Sequence, residues 1–301
     1  MRVVVLRNSR SGRGLAPAMA AQVCASLRAA GHDPVEVEAG SEGLREALAG
    51  AGAAVVIGGD GTVHHALADL SASGAAVYLA PTGTENLLAR ELGMRGLASD
   101  VGGAVGERRR VRAIDLGLAR FGGAERRFAV MLSVGPDASV IHRLDAMRTG
   151  PITHASYVRP VLAELREPAL PCLTVDVDAR RLVTDRQGLL LIANSRQYAL
   201  RIDPAAQARV DDGQLDVVFM PCRGAWGALG WHARARLRRA LRHPRAVVAR
   251  GVDVRIALGL GESPQACLAA QMDGEAVSVG SGPIEVSVLP GALRVFSAVA
   301  P

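Results

Sequence analysis

An α/β domain with an open, mostly parallel sheet, followed by a mainly antiparallel, β-sandwich-like domain, is the fold predicted for this 301-residue chain. Three observations predict it. Apolar runs of strand length alternate with helix-patterned segments through the first third of the sequence. Glycine-rich turns follow several of the early apolar runs. Near residue 110 the pattern changes to the polar–apolar alternation of half-buried antiparallel strands.

The elements follow in order. "RVVVL" (2–6) reads as a buried strand and "APAMAAQVCASLRAAG" (16–31) as a helix ending at Gly31. "PVEVE" is a short strand, "GLREALAG" a short helix, "AAVVIGG" a strand and "TVHHALADLSASG" a helix. "AAVYLAP" is a strand and "TENLLARELG" a helix. After the change of period, two strands are joined by a Gly122-Gly123 turn, and further strands run through "LTVDVDARRLVTDRQGLLLIANS", "GQLDVVFMP", "VDVRIAL", "ACLAAQM" and "GPIEVSVLP". Helical stretches interrupt at about 139–167 and 223–243. The expected division is 1–118 for the first domain and 119–290 for the second.

Composition excludes several function classes. The chain is 49% apolar and 21% charged, an ordinary globular balance. No apolar run approaches the ~20 residues of a membrane-spanning helix, and Val3–Leu6 is too short for a secretory signal, so the cytosol is the expected location. Cys24, Cys172, Cys222 and Cys267 form no CxxC pair and read as reduced thiols. All 35 basic side chains are arginine, which rules out a Walker-type loop and a protein-kinase ATP site, since both need lysine. No G-x-S-x-G segment supports a serine hydrolase. Few aromatics argue against nucleic acid as a partner. His64 and His65 are adjacent, so they point about 100° apart on a helix and do not form an i, i+4 metal pair.

The turns carry the chemistry. Gly58-Gly59-Asp60-Gly61-Thr62 ends one strand and feeds a helix. Glycines let a ligand approach the backbone, and the unpaired N–H groups of a helix start attract phosphate. Thr62 is placed to cap the helix or bond a phosphate oxygen. Asp60 would repel phosphate unless a divalent cation lies between them, which suggests magnesium. "NSRSGRG" (8–14), with Asn8 and Ser11, and "PTGTEN" (81–86), with Thr84 as a helix cap and Asn86, follow two other strands. Ligands in such sheets bind at the carboxyl ends of the strands. The bland alternative for each turn is a simple strand-to-helix connection, and for "DDG" and "MDG" a β-turn.

In this order, "NSRSGRG", "GGDGTVHHAL", "PTGTENLLARELG", "IDLG" (114–117), "VDDGQLDVVFMP" (210–221) and "MDGE" (272–275) resemble the diacylglycerol kinase catalytic-domain family, bacterial lipid kinases related to diacylglycerol and sphingosine kinases. The resemblance implies an active site in a cleft between the domains and a last strand, about 291–301, returning to the first domain. It implies ATP over Gly58, Gly59, Asp60, Gly61 and Thr62, assisted by Asn8, Ser11, Thr84 and Asn86. Asp273 would be the general base, supported by Glu275. Asp60 and Asp115 would organise a catalytic Mg²⁺. The Asp212 side chain and the carbonyls of Arg209 and Gln214 would hold a structural Mg²⁺. The implied reaction is transfer of the γ-phosphate to a hydroxyl of diacylglycerol or a related lipid. The sequence departs from the family pattern at Leu87, where many members carry aspartate. An NAD-kinase-like enzyme with a soluble nucleotide substrate, and a nucleotide- or lipid-binding protein with little catalysis, are the alternatives.

Residues 223–255 hold nine arginines, one acid (Asp253) and both tryptophans. Trp226, Leu229, Ala233, Leu237 and Leu241 fall at helical spacing. The stretch reads either as a surface helix whose apolar stripe packs on its domain or as a peripheral contact with the inner membrane face. The sequence does not define an oligomeric state.

Overall fold

The computed structural model describes residues 1–9, 11, 16–94, 101–106, 111–147, 154–166, 168, 170–237, 241–259, 268–280 and 282–297. The chain divides into two compact units, Met1–Ile114 with Gly291–Pro301, and Asp115–Pro290.

The first unit contains β1 (Arg2–Arg7), α1 (Ala16–Ala29), β2 (Asp33–Glu38), α2 (Leu44–Leu48), β3 (Ala53–Gly58), α3 (Asp60–Ser73), β4 (Ala76–Pro81), α4 (Leu87–Glu91) and α5 (Val101–Gly106). Every residue of β3 is buried, and so are Val3–Leu6 of β1, as strands covered on both faces require. β2, β1, β3 and β4 lie side by side, all parallel. The returning chain adds a further parallel strand beside β4, with Val295 opposite Val77. Parallel order sends the β1, β3 and β4 carboxyl ends to one edge, where the three glycine-bearing turns begin. α3 starts at Asp60, two residues before the Thr62 start that the sequence suggests. Gly59 is its extended N-cap, and the helix closes on the left-handed Gly74.

The second unit is entered along β5 (Val111–Phe121) and continues through β6 (Ala124–Phe128), β7 (Met131–Val134), α6 (Pro136–Ala146), α7 (Val158–Arg166), β8 (Cys172–Val177) and β9 (Arg180–Ala193). β10 (Leu215–Pro221), α8 (Gly224–Arg236), β11 (Val247–Gly251), β12 (Asp253–Leu258), β13 (Leu268–Met272), β14 (Glu275–Val279) and β15 (Ile284–Phe296) follow. Its pairs β5–β6, β7–β9, β8–β9, β9–β10, β10–β11, β8–β12, β12–β15, β7–β13 and β13–β14 are antiparallel. β9 is long enough to serve two partners in succession: its first part pairs with β8, its last part with β7 and β10. Around it closes a core that includes the fully buried Phe128 and Phe219. The Gly122-Gly123 turn joins β5 to β6, with both residues at positive φ. In that hairpin Gly117 lies opposite Phe128. A Cβ on Gly117 would stand 2.0 Å from the Phe128 ring, so the glycine of "IDLG" makes room for the aromatic.

Cys24, Cys172 and Cys222 are free thiols. Burial pushes the Cys24 and Cys222 thiols up to about 11, so both behave as core residues. Cys267 lies outside the described residues. Among the described residues no helix is long and apolar enough to cross a membrane.

Candidate functional site

At the carboxyl edge of the first unit's sheet, side chains and glycines link the three turns. The Asn8 amide donates to Thr62 Oγ1 (3.0 Å), and the Ser11 and Thr82 hydroxyls are hydrogen-bonded (2.8 Å). The turns after β3 and β4 touch through glycines. A Cβ on Gly83 would lie 2.7 Å from Gly59 Cα, and one on Gly59 would lie 3.1 Å from Gly83 Cα. No other residue type fits two backbones this closely. Asn86, at φ 50°, closes its side chain onto Gly83: Gly83 N–H donates to Oδ1 (3.0 Å) and Nδ2 donates to the Gly83 carbonyl (2.7 Å). Asp60 joins this arrangement from the first turn of α3, its Oδ1 accepting the Leu87 N–H (2.6 Å).

Two expectations change here. Thr62 neither caps α3 nor stands open to a ligand. It is buried in the first turn, against Gly58, where a glycine Cβ would meet its side chain at 2.4 Å. Thr84 is not the cap of α4. Asn86 holds that position, because its closed turn on Gly83 delays the helix to Leu87. Gly58 ends β3, Gly59 is the N-cap of α3 and Gly61 lies in its first turn. His64 is buried and His65 exposed.

The second unit gathers its own polar centre. Asp273 and Gly274 form the β13–β14 hairpin turn, at φ 52° and 88°. Asp273 is 5% exposed and turned inward. Its carboxylate accepts the N–H groups of Ala129 (2.8 Å), Val130 (2.8 Å) and Met131 (3.0 Å), so it holds the β6–β7 connection. Glu275, half-buried, opens β14 opposite Met272.

The same connection is held from the other side by Asn194, fully buried at the end of β9. Its amide donates to the carbonyls of Ala129 and Asp115, both at 2.8 Å. The Asp115 carboxylate accepts the Gly213 N–H (2.7 Å) of the "DDG" turn, and the Asp115 N–H donates to the Val210 carbonyl. Thus "IDLG", "DDGQLD" and "MDGE", far apart in sequence, are linked through Asp115, Asn194 and Ala129.

A second chain of bonds leads away from the hairpin turn. The Gly274 N–H donates to Gln271 Oε1 (2.8 Å), and Gln271 Nε2 to Ser133 Oγ (2.7 Å). Ser133 and Tyr198 (2.7 Å) both donate to Asp137 Oδ2. Burial, reinforced by the Asp137 charge, pushes the Tyr198 hydroxyl well above its ordinary value and keeps it a donor. Asp137 Oδ1 and Asn194 Oδ1 are buried acceptors with no hydrogen-bond partner among the described residues. No motif in the sequence points to Ser133, Asp137, Asn194, Tyr198 or Gln271. The available signal was a polar residue inside an apolar strand, as Gln271 is in "LAAQM".

Comparisons with known proteins match both parts of the chain. Residues 2–119 match the diacylglycerol kinase catalytic domain, and residues 130–297 match the YegS C-terminal NAD kinase beta sandwich-like domain. A diacylglycerol kinase of Mycobacterium tuberculosis is 32% identical over 226 residues, covering 72% of each chain. The chain belongs to the diacylglycerol kinase family. Two crystal structures from Bacillus anthracis str. Sterne share the fold of this family member. The first has a TM-score of 0.74 at 17% identity, over 98% of this chain and 95% of the other. The second, a diacylglycerol kinase, has 0.68 at 15%, over 98% and 96%.

The residues that the family resemblance implies for metal differ in their fit. Asp60, at a helix start beside glycine turns, offers the single carboxylate that magnesium accepts when phosphate oxygens and waters complete its shell. Asp115 is buried and already fixes the Gly213 turn. The structural set of Asp212 with the Arg209 and Gln214 carbonyls does not fit a cation as arranged. The Asp212 carboxylate is ion-paired with Arg250 and also accepts the Gln214 N–H (3.2 Å). Arg250 sits directly opposite Asp216 in the β10–β11 pair, and its Nε lies 3.5 Å from Asp216 Oδ1. Burial pushes the Asp216 carboxyl up, while the Gln207 amide and Arg250 pull it back. The guanidinium therefore supplies the positive charge at this turn. Among the described residues no group of three or more His, Cys, Asp or Glu side chains is placed to hold a metal ion.

Thermal unfolding checks the arginine's role. Chelation with EDTA is expected to leave the melting temperature unchanged, whereas Arg250→Gln lowers it by a few degrees by leaving two carboxylates without their cation. A melting temperature that falls with EDTA and recovers with magnesium would show that a metal displaces the guanidinium.

Proposed function

We propose that this family member transfers the γ-phosphate of ATP to a hydroxyl of diacylglycerol or a related lipid. The observation that carries the reading is the glycine-to-glycine contact of Gly59 with Gly83 at the carboxyl edge of the parallel sheet. There Asp60, Gly61 and Thr62 form the first turn of α3, where a helix presents its leading backbone N–H groups. Such N–H groups, with the positive end of a helix behind them, suit a triphosphate in a chain that has no lysine. Ser11 and Thr82 add hydroxyls at the same edge.

Asp60 would hold magnesium, which when bound neutralises charge on the transferring phosphate. The remaining roles belong to the chain. Asp273 accepts the proton of the lipid hydroxyl as that oxygen bonds to the γ-phosphorus. The bond from the γ-phosphorus to the bridging oxygen breaks, and ADP leaves with the electron pair. The three N–H bonds on the Asp273 carboxylate fix its position, and Gln271 fixes the turn that carries it. Leu87 leaves Asp60 without the extra carboxylate that many relatives carry there, and its N–H binds Asp60 instead.

An assay with radiolabelled ATP against diacylglycerol micelles, sphingosine and NAD tests the proposal. Label in phosphatidic acid, dependent on magnesium, is expected. Label in NADP in its place would favour the soluble-nucleotide alternative. Binding of ATP without label in any acceptor would favour a protein with little catalysis.

A further inference from the structure

The outward faces of α7 and α8 are unusual for a folded domain. Of the large hydrophobic side chains exposed among the described residues, all but Val252 lie on or just beyond α6, α7 and α8. Val158, Val161 and Leu162 project from α7, beside Met147 at the end of α6. Trp226, Leu229 and Leu237 project from α8, and Trp226 is 87% exposed. α7 packs against α8, so these side chains belong to one region of the second unit.

The exposure of the α8 stripe is built in. Trp231 is 6% exposed, its indole N–H donates to the Pro221 carbonyl (2.9 Å), and its ring meets His243 edge-on at 4.8 Å. Ala235, one turn on, is buried with it. At ~100° per residue, Trp226 stands about 140° round the helix from Trp231. Anchoring one tryptophan inward therefore turns the other out. Trp226, Leu229, Ala233 and Leu237 do not pack on the domain, the first of the two sequence readings.

Charge accompanies the apolar stripe. Arg223, Arg234 and Arg236 stand on or beside α8, and no acid occurs in the sequence from 223 to 252. Arg238 and Arg239 lie outside the described residues. Arg143, Arg159 and Arg166 line a groove of about 510 Å³ with Met147 and Leu162. Glu164 is buried, binds Ser139 and offsets Arg143, which leaves Arg159 and Arg166 for the surface; Glu167 lies outside the described residues. Asp145 is the exposed acid of α6.

We propose that this α7–α8 face docks on the surface of a bilayer containing anionic lipid. Trp226, Leu229 and Leu237 enter the headgroup boundary, and Arg159, Arg166 and Arg236 pair with the lipid charge. Apolar side chains rimmed by arginine, with tryptophan among them, match both layers of such a surface at once. The proposal names the partner surface for the lipid-kinase reading, but it stands on exposure and charge, and its test uses no ATP.

Co-sedimentation with vesicles of phosphatidylglycerol and phosphatidylcholine tests it. The protein is expected to bind these vesicles, to bind phosphatidylcholine vesicles far more weakly, and to lose binding as salt rises. Arg159→Glu and Arg236→Glu should each weaken binding by about fivefold or more. Trp226→Ser with Leu237→Ser should weaken it further, with an unchanged melting temperature, because both side chains already face solvent. Equal vesicle binding by these variants and the parent chain overturns the proposal. Absence of vesicle binding, with concentration-dependent self-association that Trp226→Ser abolishes, would assign the face to a second copy of the chain. A parent chain that binds no vesicle yet phosphorylates lipid in micelles overturns this docking proposal alone.

Discussion

Asp273→Asn is expected to reduce phosphoryl transfer by about 10²–10⁴-fold and to lower the melting temperature by a few degrees. The two losses have separate causes. An amide is a poor proton acceptor, so the attacking hydroxyl keeps its proton. The carboxylate also accepts three backbone N–H groups from Ala129, Val130 and Met131. Asparagine offers one acceptor oxygen and puts an N–H₂ where the other stood, which leaves at least one buried donor unpaired at a cost of about 1–3 kcal/mol. Gln271→Ala removes the partner of Gly274 and loosens the same turn without touching the carboxylate. It should share the thermal loss and show a far smaller fall in kcat. A variant Asp273→Asn that melts early but turns over at the parent rate would make this residue a clamp for the β6–β7 connection and remove it from the proton transfer.

Gly83→Ala is expected to cripple nucleotide binding although it adds one methyl group. The new Cβ would meet Gly59 Cα at 2.7 Å and Asn86 Oδ1 at 2.9 Å. The first of these is backbone, so no rotamer change relieves it, and overpacking of this kind costs about 1–3 kcal/mol. Relief requires the turns after β3 and β4 to separate. That shifts the start of α3 relative to Asn86, and a displacement near 1 Å is enough to cost on the order of 100-fold in transfer. Gly103→Ala on α5, where a Cβ meets nothing within 4 Å, is the control and should be neutral or slightly stabilising. ATP titration followed by calorimetry, with the melting temperature of each variant, checks the prediction. Equal affinity in Gly83→Ala and the parent chain would mean that the triphosphate does not depend on these two turns staying in contact.

The first unit was readable because its strands are continuous apolar runs and its helices carry their own period. Both are local properties, and each early element appears within a few residues of its expected place. The start of α3 was misread because Asp60 and Gly61 look like turn residues, and only the extended Gly59 reveals that the helix begins there. Thr62 and Thr84 were misplaced for a related reason: a hydroxyl near a helix start suggests a cap, but burial and the Asn86 closure are tertiary facts. The inward turn of Asp273 was hidden in the same way. Asp-Gly identifies the hairpin, whereas the direction of its carboxylate depends on the backbone of Ala129–Met131, more than 140 residues earlier in the chain. Asn194 and Gln271 join motifs by long-range bonds, so their polarity within apolar strands was visible and their partners were not. The stripe on α8 was visible as a period, but a period does not show which face is buried, and Trp231 decides that.

The way β15 contributes to the first unit has a consequence for biosynthesis. Gly291–Phe296 supplies the strand beside β4, yet these residues are translated after the whole second unit. Until they emerge from the ribosome, β4 is an unguarded border with free amide and carbonyl groups, the kind of edge that recruits a neighbouring chain. The nascent protein therefore cannot complete its parts in the order they are made. The half that appears first must wait for its final strand, and a premature stop near the end would harm the beginning.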